Sequence, residues 1–270
     1  MSLYLLMKPL LLLFIPLHIL NNCDYFGFMK FVASPILDKM IELYKLPRNR
    51  ARFDAYLKML QGESQSEMIS PIAGYNPMGK DFVLEKMNEL KGLEAEVILS
   101  DVLKEINTKV ESDSDETFDV VINLLDDIGG GWSEHCSTDY NYRFNLSSLI
   151  KRKFVTPFFW TSEEFDENMI ARRIQEQVYR TIYELRNGKS KTLQNHVDQE
   201  VFVKNQIESP SHKLDKVSNE ETKQFLANHS NSEKYALIFN FFYGDKASEN
   251  LGYKLYGNHR NAGIELIQML

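Results

Sequence analysis

Along most of this chain apolar residues return at intervals of three and four, the spacing that gathers them on one face of an α-helix. Ile36, Met40, Ile41 and Tyr44 form one such stripe behind Pro35, a residue suited to a helix's first turn. Leu46-Pro47 interrupts it, and Phe53, Leu57 and Leu60 resume the pattern. Asn76-Pro77 reads as an N-cap with proline at the first helical position, ahead of an inner face of Phe82, Val83, Met87 and Leu90. Residues 93–110 are periodic again. The clearest stripe is Phe165, Ile170, Ile174, Val178, Ile182 and Leu185. It predicts a long amphipathic helix, entered through the capping box Thr161-Ser162-Glu163-Glu164 and stopped by Asn187-Gly188. Further helices are expected near 190–207, 219–228, 232–242 and 259–269, with Ser218-Asn219-Glu220-Glu221 and Ser230-Asn231-Ser232-Glu233 repeating the capping pattern.

Recurrent caps at independent apolar runs predict a mainly α fold: a single helical-bundle-like domain over 29–270 carrying a long glycine/aromatic polar loop. Residues 118–128 read two ways. Val120-Val121-Ile122 favours a strand, whereas Leu124-Leu125-Asp126-Asp127 favours a helix. The acidic stretch 111–116 reads as an exposed connector, without the glycine and ligand spacing of an EF-hand loop. The polar stretch 208–219 is a candidate boundary, but short loops elsewhere favour one domain.

A formal charge of -7 argues against a general nucleic-acid binder, which needs a clustered basic surface. Lys151-Arg152-Lys153 is too short a run to supply one. Two cysteines, Cys23 and Cys136, exclude a dense disulfide scaffold and a four-cysteine metal site within one chain.

Residues 1–28 form an apolar leader or N-terminal extension. Its run from Pro9 to Leu20 is shorter than the roughly 20 residues of a membrane helix and contains Pro16. From Met7, the basic Lys8, the leucine-rich core and Cys23 resemble a bacterial lipoprotein signal peptide, although Leu20-Asn21-Asn22 lacks the small residues usual before a lipidated cysteine. That resemblance implies envelope attachment. The competing readings are a buried segment of a cytoplasmic protein, or an overextended frame whose true start is Met29. The cytoplasm is the first assignment and the envelope the alternative. No second apolar run suggests a multipass membrane protein.

The densest chemistry lies between Ile128 and Phe144, where three glycines precede acid, imidazole, thiol and guanidinium groups. Read as structure, Trp132, Tyr140, Tyr142 and Phe144 pack a loop and Gly129, Gly130 and Gly131 end an element. Read as a site, His135 is the proton carrier, Asp139 orients its ring and Arg143 pairs with a carboxylate or phosphate. These three are the candidate catalytic residues. Gly129 to Gly131, Trp132, Tyr75 and Lys80 are the candidate ligand-binding residues, the last two from the Gly74–Lys80 edge. Cys136 adjoins His135, but neighbouring side chains need not face one another, so a packing thiol is preferred over a nucleophile. The glycines lack the Gly-Lys-Ser or Gly-Lys-Thr of a P-loop.

His196 and Glu200, four apart, would share a helix face and with His135 and Asp139 could ligate Zn or Fe. An ordinary helix contact is the competing reading, and no metal is assigned. No pattern names a cofactor. The residues point to a small-molecule-binding protein or hydrolase-like enzyme with an anionic ligand. The alternative is a noncatalytic helical scaffold exposing Phe158, Phe159, Trp160, Phe241, Phe242 and Tyr243.

Overall fold

The segment in which strand and helix signals compete is extended. It supplies β2 (Thr117–Val120) and β3 (Asn123–Leu125), which with β1 (Lys30–Ala33), β4 (Phe154–Val155) and β5 (Phe158–Trp160) form the parallel strands. The computed structural model describes residues 29–63, 67–110, 115–128, 133–207 and 217–270, with side chains in the last stretch from 220. The leader, Gly129 to Gly131, Trp132 and most of the acidic connector lie outside these residues.

Strands β1, β2 and β4 make one sheet in that order, and β3 and β5 make a second. The two are nearly continuous. Val121 N donates to Val155 O at 2.9 Å and Asn123 N to Pro157 O at 2.8 Å, so the β2–β3 chain follows the β4–β5 chain across the break. Pro157, having no N–H, cannot donate to a ladder at that point. Nearly every side chain from Phe118 to Leu125 is buried. A strand covered on both faces reads as an uninterrupted apolar run, which is why its periodicity is ambiguous.

The remaining architecture is mainly helical, as the stripes predict. The eleven helices among the described residues are α1 (Leu37–Lys45), α2 (Arg50–Gln61), α3 (Asp81–Gly92), α4 (Ala95–Lys109), α5 (His135–Phe144), α6 (Ser147–Lys151), α7 (Glu167–Asn187), α8 (Leu193–Gln206), α9 (Val217–His229), α10 (Tyr235–Asn250) and α11 (Ala262–Met269). None of the described helices is long and apolar enough to cross a membrane. α4 packs on β1 and α7, α7 on α8, and α10 on α11. A large core joins the strands to α1, α3, α4 and α7. A second apolar cluster joins α5, α8, α10 and α11.

Several helix starts differ from the predicted ones, because other groups, some local and one tertiary, supply the caps. Glu96 of α4 accepts from Ile36 N at 2.5 Å and Leu37 N at 2.9 Å, closing the first turn of α1. Asn76 does not cap α3. Its side chain accepts from Met78 N inside a turn closed by Gly79 N on Asn76 O, and α3 begins at Asp81. The capping box expected at Thr161 is absent: α7 starts at Glu167 with Asp166 accepting from Met169 N at 2.8 Å. A capping box forms instead at Thr192 and Asn195, ahead of α8. The predicted stop at Gly188 holds, its φ of 77° being the positive value glycine tolerates. α10 bends at Gly244, where φ is 80°.

The six aromatics of the scaffold alternative are all buried, so they form no exposed patch.

Candidate active site

The expected polar loop is a helix from its seventh residue onward. Glu134 caps α5, its carboxylate accepting from Cys136 N at 3.3 Å and Ser137 N at 2.6 Å. Four-residue spacing then places His135, Asp139 and Arg143 on one face. All three line a single cavity of about 370 Å³, together with Trp160 and Glu163 from the end of β5, Arg173 of α7, Tyr243 and Lys246 of α10, and Arg260 before α11. That volume lies near the lower end of the roughly 300–1,000 Å³ typical of small-molecule sites. The cavity lies between α5, α10 and the start of α11 on one side and the carboxyl end of β5 on the other. Parallel strands commonly place ligands there, because loops rather than ladder bonds take up the chain ends.

Those strand ends supply the partner of His135. Its Nδ1 lies 2.8 Å from Asp127 Oδ2, and its ring stacks on Trp160 with centroids 4.1 Å apart and planes at 23°. Asp127, two residues beyond β3, also accepts from Thr161 Oγ1 and Ser162 N at 3.1 Å each and from Ser162 Oγ at 2.7 Å. Burial pushes this carboxyl up, but the bonds from His135 and Ser162 prevail and hold it below the usual carboxylate range. An ionised Asp127 keeps the proton of the neutral imidazole on Nδ1. Nε2 then carries the lone pair and has no hydrogen-bond partner among the described residues. Asp126 is also tethered, accepting from Asn76 Nδ2 at 2.9 Å.

The expectation that Asp139 orients His135 is therefore corrected to Asp127. Asp139 sits one turn further along α5, where its Oδ2 accepts from Arg143 Nε and Tyr243 OH, both at 2.6 Å. Arg143 is correspondingly less available to a ligand than expected. Its Nη1 donates to Glu200 at 3.1 Å, and Glu200 takes two bonds of 2.8 Å from Arg180. Asp139, Arg143, Glu200 and Arg180 thus form a charge-balanced chain beneath the cavity. Burial works against both carboxylates, yet the arginines outweigh it and hold them below their ordinary range.

Cys136 lines the cavity with a thiol pushed up to about 11 by burial and by the Glu134 and Asp139 charges. A protonated thiol is a poor nucleophile, consistent with packing. The proposed metal set does not assemble. His196 places Nδ1 2.7 Å from Thr192 O and Nε2 3.1 Å from Tyr140 OH, away from His135, and Glu200 is held by the two arginines. No group of three or more His, Cys, Asp or Glu among the described residues is arranged to hold a metal ion.

Tyr75 and Lys80 lie elsewhere. Tyr75 is fully buried, its hydroxyl donating to Ile122 O at 3.0 Å, and Lys80 is exposed at the start of α3. Gly129, Gly130, Gly131 and Trp132 fall outside the described residues.

Sequence reasoning missed Asp127, Glu163, Arg173, Lys246 and Arg260. A usable signal existed for the first: Asp126-Asp127 ends one buried apolar run, just as Thr161-Ser162 ends Phe-Phe-Trp. Nothing in the local pattern brings residues 246 and 260 to position 135.

No protein-family model matches this chain, nor does any curated protein or solved structure.

Proposed function

We propose that this protein is a hydrolase-type enzyme acting on a small anionic molecule, with His135 moving the proton and Asp127 orienting it. The carrying observation is the Asp127–His135–Trp160 arrangement: a carboxylate at 2.8 Å on Nδ1 and an indole stacked on the ring fix an imidazole that lines the cavity. A histidine held in this way is the side chain suited to general acid–base work. In the proposed step Nε2 takes a proton from water as its oxygen bonds to the substrate's electrophilic centre. The bond to the leaving group breaks and that group receives the proton. No protein nucleophile is required, and the protonated Cys136 is not used. Tyr243 and Arg143, both bonded to Asp139, form a fixed polar part of the same cavity.

The test is a hydrolysis screen with small carboxylated and phosphorylated esters and amides. His135→Ala is expected to lower kcat about 10²–10⁴-fold, the usual contribution of general acid–base catalysis. Asp127→Asn should lower it while leaving KM nearly unchanged, since the imidazole keeps its place but loses its tautomer. No turnover across the panel, or turnover indifferent to both substitutions, would overturn the proposal.

A further inference from the structure

We infer that the C-terminal wall of this cavity is a receptor for a dianionic phosphate group, which acts as the handle of the substrate; this rests on the reading of the cavity as a substrate site. The polar side chains around the cavity divide into two sets. On the α5 and β5 side every charge is already matched: Arg143 by Asp139 and Glu200, and Arg173 by Glu163 through bonds of 2.6 and 2.9 Å. Lys246 and Asn250, one turn apart on α10, line the same cavity together with Arg260 and Asn261 at the start of α11. None of these four side chains has a hydrogen-bond or ion-pair partner among the described residues. Four cationic side chains and two carboxylates line the cavity, and the two uncompensated positive charges are Lys246 and Arg260. A phosphate monoester carries about −1.5 to −2 charges at pH 7 and three acceptor oxygens, matching two cations and two amides. A single carboxylate would leave one charge and part of the donor set unmet.

The wall is also held in place. Asn261 lies in the left-handed region at φ 63°, which asparagine tolerates better than most residues with a side chain, and its side chain makes no cap to α11. Asp245, next to Lys246, accepts from Asn240 Nδ2 at 2.9 Å, Tyr256 N at 2.9 Å and Gly257 N at 3.1 Å. That clasp ties the turn leading to Arg260 to the start of the α10 segment that carries Lys246 and Asn250. At Gly244 an added Cβ would lie 2.5 Å from His259 O, so the two chains meet in backbone contact just behind the cations. The backbone that carries the four donors is thereby fixed without a ligand.

The experiment titrates the full chain with inorganic phosphate at pH 7.5, reading binding by calorimetry, with acetate as the monoanionic control. Phosphate is expected to bind, weaken as salt is raised, and bind about tenfold or more weakly to Lys246→Gln and to Arg260→Gln. Both side chains are exposed, so the variants should keep the Tm of the parent measured without phosphate. His135→Ala should bind phosphate as the parent does. Retention by His135→Ala alongside loss in the two cation variants supports the handle whether or not the hydrolysis screen succeeds. Equal binding by acetate, or phosphate binding unchanged in both cation variants, overturns it and leaves the His135–Asp127 reading to its own test.

Discussion

Glu200→Gln removes one charge from a set that is balanced in the folded protein. Asp139 and Glu200 are 7% and 8% exposed and face Arg143 and Arg180. The glutamine leaves the buried Arg180 and the half-buried Arg143 against Asp139, with the half-buried Glu176 at 3.5 Å from Arg180 as a weaker partner. It also turns an amide N–H₂ toward a donor that had a carboxylate oxygen. Breaking a buried pair by removing one member typically costs about 3–5 kcal/mol, and Glu176 should keep the loss near the lower end, about 3 kcal/mol. At roughly 2–4 °C per kcal/mol for a protein of this size class, Tm should fall by about 6–12 °C. Urea unfolding at pH 7 checks the free energy directly. The pH dependence gives an independent signature. Both carboxyls titrate below their ordinary values when folded, because the arginines outweigh burial. The unfolded chain therefore binds more protons as pH drops through about 4, and the contribution, complete above that range, is lost as pH falls toward the folded values. Glu200→Gln should consequently show a shallower loss of stability on acidification than the parent. Replacing Arg180 and Glu200 together by methionine removes opposite charges and should recover most of the stability. A loss below about 1 kcal/mol for Glu200→Gln, or an unchanged acid slope, would refute a balanced buried network.

Cys136 should react sluggishly: with its thiol pushed up to about 11, alkylation by iodoacetamide at pH 8 is expected to be about two orders of magnitude slower than for an ordinary cysteine. Peptide mapping follows it, and a rate at or above that of a free thiol would contradict the environment described. Gly244→Ala forces a side chain into φ 80° with Cβ 2.5 Å from His259 O. The backbone strain alone costs about 1–3 kcal/mol, visible as a lower Tm, and the displaced 259–261 segment should weaken phosphate binding. An unchanged Tm would mean that the α10–α11 approach is looser than described.

The helical stripes were legible because burial of one face is a local, periodic demand, which Ile170, Ile174, Val178 and Ile182 record without reference to any partner. The same reasoning put His135, Asp139 and Arg143 in one patch, and their four-residue spacing placed them on one helical face lining the cavity. It misjudged the patch as a loop because the cap, Glu134, lies within a stretch whose chemistry looked functional throughout. Thr161 shows the opposite error: a capping sequence is also a set of hydrogen-bonding groups, and here they were claimed by Asp127 across the strand pair. Caps reflect competition among nearby partners, and sequence names only the local ones. What tertiary structure alone decided was the pairing. Adjacent parallel strands end beside each other whatever their separation along the chain, so Asp127 meets Thr161 and Ser162 there. His135 stacks on Trp160 and takes Asp127, not Asp139, as its partner. Glu200 neutralises Arg143, and Lys246 and Arg260 come to the cavity, because packing of α8, α10 and α11 against α5 brings distant charges within reach. Helical periodicity constrains which way a side chain faces; only the packed arrangement determines what it meets there.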